Sequence, residues 1–268
     1  MGSNANSEVL ERIHAALEAA RQVLTRFTAG AIEAEYKAGH DPVTEADKSV
    51  DAVLRKELLR EGEGWLSEES VDDLTRLKAQ RVWIVDPLDG TREFIAGIPE
   101  FCVSVAMVED GRPIAGGICN PATNEMFLGS IDSGASYNGK PVRASRRAHL
   151  NGASVLASRS EIKRGEWKQF ENAPFTIRPM GSVAYKLGLV SAGLADATFT
   201  LTPKHEWDVA AGAALVESAG GVVRTLDNSP LRCNSTSPLL SGLLACGPNL
   251  EQELLALLGD HLATASRL

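Results

Sequence analysis

The 268-residue sequence has only four cysteines: Cys102, Cys119, Cys233 and Cys246. They are far apart and form no C-x-x-C pair. That argues against a zinc site built from close ligand pairs and against a secreted disulfide framework, and leaves buried free thiols as the expectation. The five histidines, at positions 14, 40, 149, 205 and 261, show no metal-ligand spacing, and no G-x-S-x-G nucleophile elbow occurs. No apolar run approaches the roughly 20 residues of a membrane span. Met1 to Ser7 is polar, unlike a signal peptide, and position 6 is Asn where a myristoylation motif requires Ser or Thr. A cytoplasmic protein with no membrane partner is therefore expected. Basic residues are outnumbered by acidic ones, 27 to 35: the formal charge is -8, which makes the chain a poor generic partner for nucleic acid polymers. An anionic substrate is still compatible with this balance, because bound divalent cations reverse the local field of an acidic site.

Hydrophobic residues make up 44% and charged residues 23%, an ordinary globular balance, so the length suffices for one large domain or two packed halves. Val9, Ile13, Leu17, Ala20, Leu24 and Phe27 have helical spacing. A second helix is expected to begin near Thr44, run through Leu58 and be ended by Gly62 and Gly64. Arg81 to Val85 reads as a strand ending at Asp86-Pro87. Phe101–Glu109 and Arg112–Cys119 read as a hairpin about Asp110-Gly111, followed by a strand from Glu125 and a hairpin tip at Asn138-Gly139. This predicts an antiparallel meander with helices on one face, an α+β half over residues 1–145. The polar, basic stretch from Arg143 to Asn151 links it to an α/β half over 146–268. There, strands at Ser154–Ser158, Asp196–Leu201 and from Gly220 alternate with helices at Ser182–Ala192 and Val209–Ser218.

Asp86 and Asp89 lie three residues apart directly after an apolar strand. Carboxylates leaving a buried strand are costly unless compensated, and divalent metal is a natural compensation. Gly90 and Thr91 would then open a helix whose N–H groups face a phosphate. The alternative is a plain strand-to-helix turn capped by Asp89. Thr44 and Asp47 fit a capping box, Glu68 and Glu69 fit a solvated acidic face, and Asp208 fits a helix N-cap.

Four segments together resemble the inositol monophosphatase superfamily. Trp83-Ile-Val-Asp86-Pro-Leu-Asp89-Gly-Thr91 looks like its first signature, and Glu206-Trp207-Asp208-Val-Ala-Ala-Gly212 like its second. Leu66-Ser67-Glu68-Glu69 resembles the acidic segment between the N-terminal motif and the first signature, and Asp41-Pro-Val-Thr44-Glu-Ala-Asp47 the N-terminal motif itself. The resemblance implies a layered α-β-α-β-α sandwich and a Mg²⁺-dependent phosphomonoesterase using two or three ions, the weakest of them displaced by lithium. It implies that Glu68, Asp86, Asp89, Asp208 and the Leu88 carbonyl hold metal, with Glu68 also orienting the attacking water. Asp47 and Thr91 would polarise that water. The backbone of Gly90 and Thr91 would hold the phosphate, with Ser182, Lys186 and Asp208 touching substrate, a small phosphorylated molecule. Homodimers are common in such families.

Arg92-Glu93-Phe94 after the first signature, and the Ser67-Glu68-Glu69-Ser70 context, resemble 3'(2'),5'-bisphosphate nucleotidases of the CysQ type. Seven residues before Asp208, where inositol monophosphatases commonly carry a polyol-binding Glu, this chain has Leu201. The expectation is hydrolysis of 3'-phosphoadenosine 5'-phosphate (PAP) to AMP and phosphate, a clearance step beside sulfate assimilation. Lys186 or Lys204 would contact the second phosphate and Tyr185 would lie near the base. The alternatives are an inositol-1-phosphate or broad sugar phosphatase and, more remotely, a non-catalytic metal or nucleotide sensor. For Lys186 a solvated helix position is an open alternative.

Overall fold

The computed structural model describes residues 2–36 and 42–265. Asp41 and His40 lie outside the described residues. Helices α1 (Gly2–Leu24) and α2 (Glu45–Leu58) lie along one face of a seven-stranded sheet. Its strands are β1 (Gly64–Ser67), β2 (Arg81–Asp89), β3 (Cys102–Glu109), β4 (Arg112–Asn120), β5 (Glu125–Ser130), β6 (Gly134–Tyr137) and β7 (Lys140–Val142), in that spatial order. From β2 onward the pairing is an antiparallel meander, as the turn signals predict. Strand β1 departs from the expectation: Gly64 opens it rather than closing the helix before it, and it pairs parallel with β2.

A short helix, α3 (Thr91–Ile95), follows β2. The second sheet holds β8 (Ser154–Ser158), β9 (Thr176–Met180), β10 (Ala197–Thr200), β11 (Val222–Thr225) and β12 (Leu243–Cys246). Its order is β9-β8-β10-β12-β11, parallel across the first three and antiparallel thereafter. Helix α4 (Arg159–Lys163) follows β8, and α7 (Glu251–Ala265) packs outside this sheet through Leu254 and Leu258, with Leu250 just before it.

Between the sheets lie α5 (Val183–Ser191) and α6 (Glu206–Ser218). The β2 side chains show why the helices divide into layers. Val82 and Ile84 face α5 and α6, whereas Trp83 and Val85 face α1 and α2, the alternation a strand imposes. Both faces of the meander are therefore covered, not one as the sequence predicts: the C-terminal half supplies the second cover. The layers run helix, sheet, helix, sheet, helix, the architecture that the resemblance implies. Gly116 in β4 permits the close fit, since a Cβ there would lie 2.4 Å from the Ala211 carbonyl oxygen of α6. The four cysteines are free and buried.

Candidate functional site

In a regular strand Asp86 and Asp89, three apart, would point to opposite faces. Their strand is not regular. Pairing with β3 runs from Asp86↔Ser104 to Asp89↔Cys102 across a register shift. Pro87 lies in that shift and has no N–H to give the ladder. The irregularity re-aims the chain, so that oxygens of Asp86, Asp89 and Asp208 all lie within 4.8 Å of one another. The strand runs on past Pro87, where the sequence reading ends it, to Asp89, and the chain turns at Gly90, whose φ of +97° is a conformation that favours glycine. A Cβ at Gly90 would also lie 2.8 Å from the Glu100 carbonyl oxygen.

Three helix starts deliver the remaining groups. Asp208 stands in the first turn of α6 and accepts the His205 backbone N–H at 3.1 Å, a capping box near the positive end of the helix dipole. Asp47 does the same in α2, accepting the Thr44 N–H at 2.8 Å and the Thr44 hydroxyl at 2.6 Å. Its other oxygen lies 3.0 Å from Thr91 Oγ1, which is also 3.0 Å from the Leu88 carbonyl. The cap and the Thr91 contact thus coexist in one carboxylate. At α5, Ser182 has φ +52°, an unusual backbone for a residue with a Cβ. It caps the helix, donates to Asp89 Oδ2 at 2.7 Å and aligns the Ala184 N–H on the same oxygen at 2.5 Å.

Glu68, Asp86, Leu88, Asp89, Gly90, Thr91, Ser182, Lys186 and Asp208 line one cleft of about 360 Å³, and Asp47 joins it through Thr91. Glu68 falls outside the tight trio but interacts electrostatically with Asp86 and Asp208. Burial, then the charges of Glu68, Asp89 and Asp208, hold the Asp86 carboxyl well above its ordinary range. Burial, Asp89 and Glu68 do the same to Asp208. Burial raises Asp89 too, opposed by its bonds from Ser182 and Ala184 and by Lys186 and Lys204. Clustered carboxylates of this kind fit a hard divalent cation, which offsets the repulsion that proton uptake otherwise relieves.

Lys186 is not a solvated helix residue. It is 4% exposed, its Nζ donates to the Ser182 carbonyl at 2.8 Å, and burial lowers its pKa. Lys204 lines the same cleft, with Nζ 2.8 Å from Glu161 Oε1. Although burial alone would raise the Glu161 carboxyl, Lys204 and the hydrogen bonds from Thr200 and Trp167 hold it down at about 2. Tyr185 turns away from the cleft: its hydroxyl donates to Glu125 Oε2 at 2.5 Å. Leu201 packs beside the Trp167, Phe170 and Phe199 cluster rather than at the cleft. His205 stacks on Trp207 with centroids 4.3 Å apart, at the cleft edge.

Sequence reasoning missed the brace between the segment carrying Glu68 and the helix carrying Asp208. Arg76, 1% exposed, pairs with Asp72 at 2.8 Å and donates to Asn234 Oδ1 at 2.7 Å and the Ser235 carbonyl at 2.9 Å. Glu206, fully buried, accepts the Asn234 N–H at 2.6 Å and the Ser235 hydroxyl at 2.7 Å. Glu161 was missed as well, although Ser158-x-x-Glu161 has the capping spacing and Ser158 does cap α4.

A carboxylate trio at a strand irregularity, beside the starts of α2, α5 and α6, is an arrangement suited to a hard divalent cation. The inositol monophosphatase family model matches residues 5–263, and this chain belongs to that family. It is 32% identical over 245 residues to an inositol-1-monophosphatase of Rhizobium meliloti, covering 88% of this chain and 85% of that one. It is 30% identical over 263 residues to the Nus factor SuhB of Escherichia coli, covering 94% and 96%. The crystal structure of CysQ from Bacteroides thetaiotaomicron superposes with a TM-score of 0.75 at 26% identity, covering 90% and 97%. Among the described residues no helix is long and apolar enough to cross a membrane.

Proposed function

We propose that this chain is a Mg²⁺-dependent phosphomonoesterase whose ester carries a second anionic group, most specifically a 3'(2'),5'-bisphosphate nucleotidase that converts PAP to AMP and phosphate. The observation that carries the reading is the composition of the cleft: an acidic trio for cations and, in the same cavity, the Lys186 and Lys204 side chains. The residues proposed to hold Mg²⁺ are Asp86, Asp89, Asp208, Glu68 and the Leu88 carbonyl. A bound Mg²⁺ supplies Lewis acidity, making hydroxide available near neutral pH and offsetting charge on the phosphoryl oxygens.

The protein's own groups do the positioning. Thr91 Oγ1, directing its proton to Asp47, offers its lone pairs to a water proton and so orients the water for attack. Backbone N–H groups at Gly90 and Thr91 face the transferred phosphate. Ser182 and the Ala184 N–H fix the Asp89 carboxylate, so it needs no reorientation during the reaction. Lys204, held by Glu161, meets the second phosphate.

Inositol 1-phosphate is the second reading, favoured by the name of the Rhizobium relative. Competition between PAP and inositol 1-phosphate tests the choice. PAP is expected to lead by about a hundredfold in kcat/KM, roughly 2.7 kcal/mol of discrimination. Lys204→Ala is expected to erase most of that lead by raising KM for PAP. A lead for inositol 1-phosphate, unaffected by Lys204→Ala, would sink the nucleotidase reading and leave the phosphatase intact.

A further inference from the structure

A second cavity, of about 290 Å³, shares no lining residue with the catalytic cleft. It lies along the C-terminal half of α6, against Ala213 and Glu217, whereas Asp208 is in the first turn. Its other walls come from both halves of the fold: Arg112 and Pro113 of β4, Arg224 of β11, and Leu231 and Arg232 beyond it.

The charge in this cavity runs against the charge of the chain. The sequence carries a formal -8, yet three arginines line the cavity with one acidic residue, Glu217. Their protein contacts leave donors to spare, since each guanidinium has five N–H groups. Arg112 reaches Glu217 at 3.3 Å, and Arg232 reaches the Asp110 carbonyl at 3.5 Å, both at the long end of hydrogen bonding. The Arg112 side chain is 56% exposed, so its ion pair with Glu217 is weak and readily exchanged. Arg224 is better held, pairing with Glu251 at 3.0 Å. Pro113, Ala213 and Leu231 add an apolar surface beside the charges.

We propose that this cavity binds a small phosphate-bearing molecule with a compact apolar body. Guanidinium forks match phosphate oxygens in pairs, and the apolar wall takes the rest of the ligand. Such a ligand would bridge β4 to the segment after β11 across α6, the helix that carries Asp208. The inference does not depend on which ester the catalytic cleft hydrolyses.

Phenylphosphonate is a suitable probe, having a dianionic head, an apolar ring and no ester bond to hydrolyse. It would be titrated into the Mg²⁺-loaded protein while backbone amide signals are followed by NMR. Saturable shifts are expected around Arg112, Arg224 and Arg232, separate from any at Thr91 and Ser182. In the Arg112→Gln/Arg232→Gln double variant, affinity read from the first set should fall at least tenfold, with the second set unchanged. Shifts confined to the catalytic cleft would overturn the proposal. So would shifts around Arg224 that saturate identically in the double variant.

Discussion

The outer and inner helix layers solve different problems. Helix α2 buries Ala46, Asp47, Val50, Leu54 and Leu58 on one side and gives its other side to solvent. Helix α5 buries every residue from Ala184 to Ser191, and α6 buries an unbroken run from Val209 to Val216. A helix between two sheets has almost no solvent face, so it is predominantly apolar all round. Polar groups survive in it mainly near the end that opens on water. Ser182, Lys186, Glu206 and Asp208 all fall in the first turn or so of their helices, or just before them. The outer layer thus provides mostly stability. The inner layer carries half of the site at its N-termini, where the dipole favours carboxylates.

That contrast can be broken or sharpened by substitution. The largest effect is expected for Arg76→Met, which leaves Asp72 without its buried partner and cuts the brace to the α6 loop. Losing the buried guanidinium's charge-assisted bonds to Asp72, Asn234 and Ser235, each worth roughly 1.5–3 kcal/mol and partly replaced by water at Asp72, costs about 3–5 kcal/mol in sum, read from denaturant unfolding. The Mg²⁺ concentration for half-maximal activity should rise as well, about tenfold by the 1.4 kcal/mol-per-decade rule. Leu17→Ala, in the fully buried core of α1, should cost a comparable 2–5 kcal/mol. Its Mg²⁺ dependence should not change, because the outer layer does not carry the trio. If Leu17→Ala moved the Mg²⁺ requirement as far as Arg76→Met, the layers would not divide the labour. Gly116→Ala should be milder in stability, about 1–3 kcal/mol for overpacking. It should nonetheless lower kcat, because the added methyl pushes on the Ala211 carbonyl and α6 carries Asp208.

The same contrast explains what was legible in the sequence. Amphipathic α1 and α2 announce themselves through helical spacing, and the β3–β4 hairpin through Asp110-Gly111. The pairing of Asp86 with Asp89 is visible as two carboxylates after an apolar strand, and the shift at Pro87 that aims them together is not. Lys186 is ambiguous in sequence because its burial depends on two sheets closing over α5. Strand β1 was missed because Gly-Trp-Leu-Ser is too short to show a period, and because its partner β2 lies beyond an intervening loop. The Glu161–Lys204 and Arg76–Asn234 contacts join residues far apart in the chain, and no local pattern encodes them.

The most direct test is phosphate release from PAP by the wild-type chain and by Asp86→Asn, each with Mg²⁺ and then with excess EDTA. Wild-type turnover is expected to need Mg²⁺ and to vanish in EDTA. Asp86→Asn should lose on the order of a thousandfold or more, the scale of removing a major electrostatic contributor, while its metal-free form unfolds at a higher temperature because one of the mutually repelling carboxylates is gone. Turnover that survives EDTA, or an Asp86→Asn variant as active as the wild type, would contradict a metal-dependent phosphatase centred on Asp86, Asp89 and Asp208.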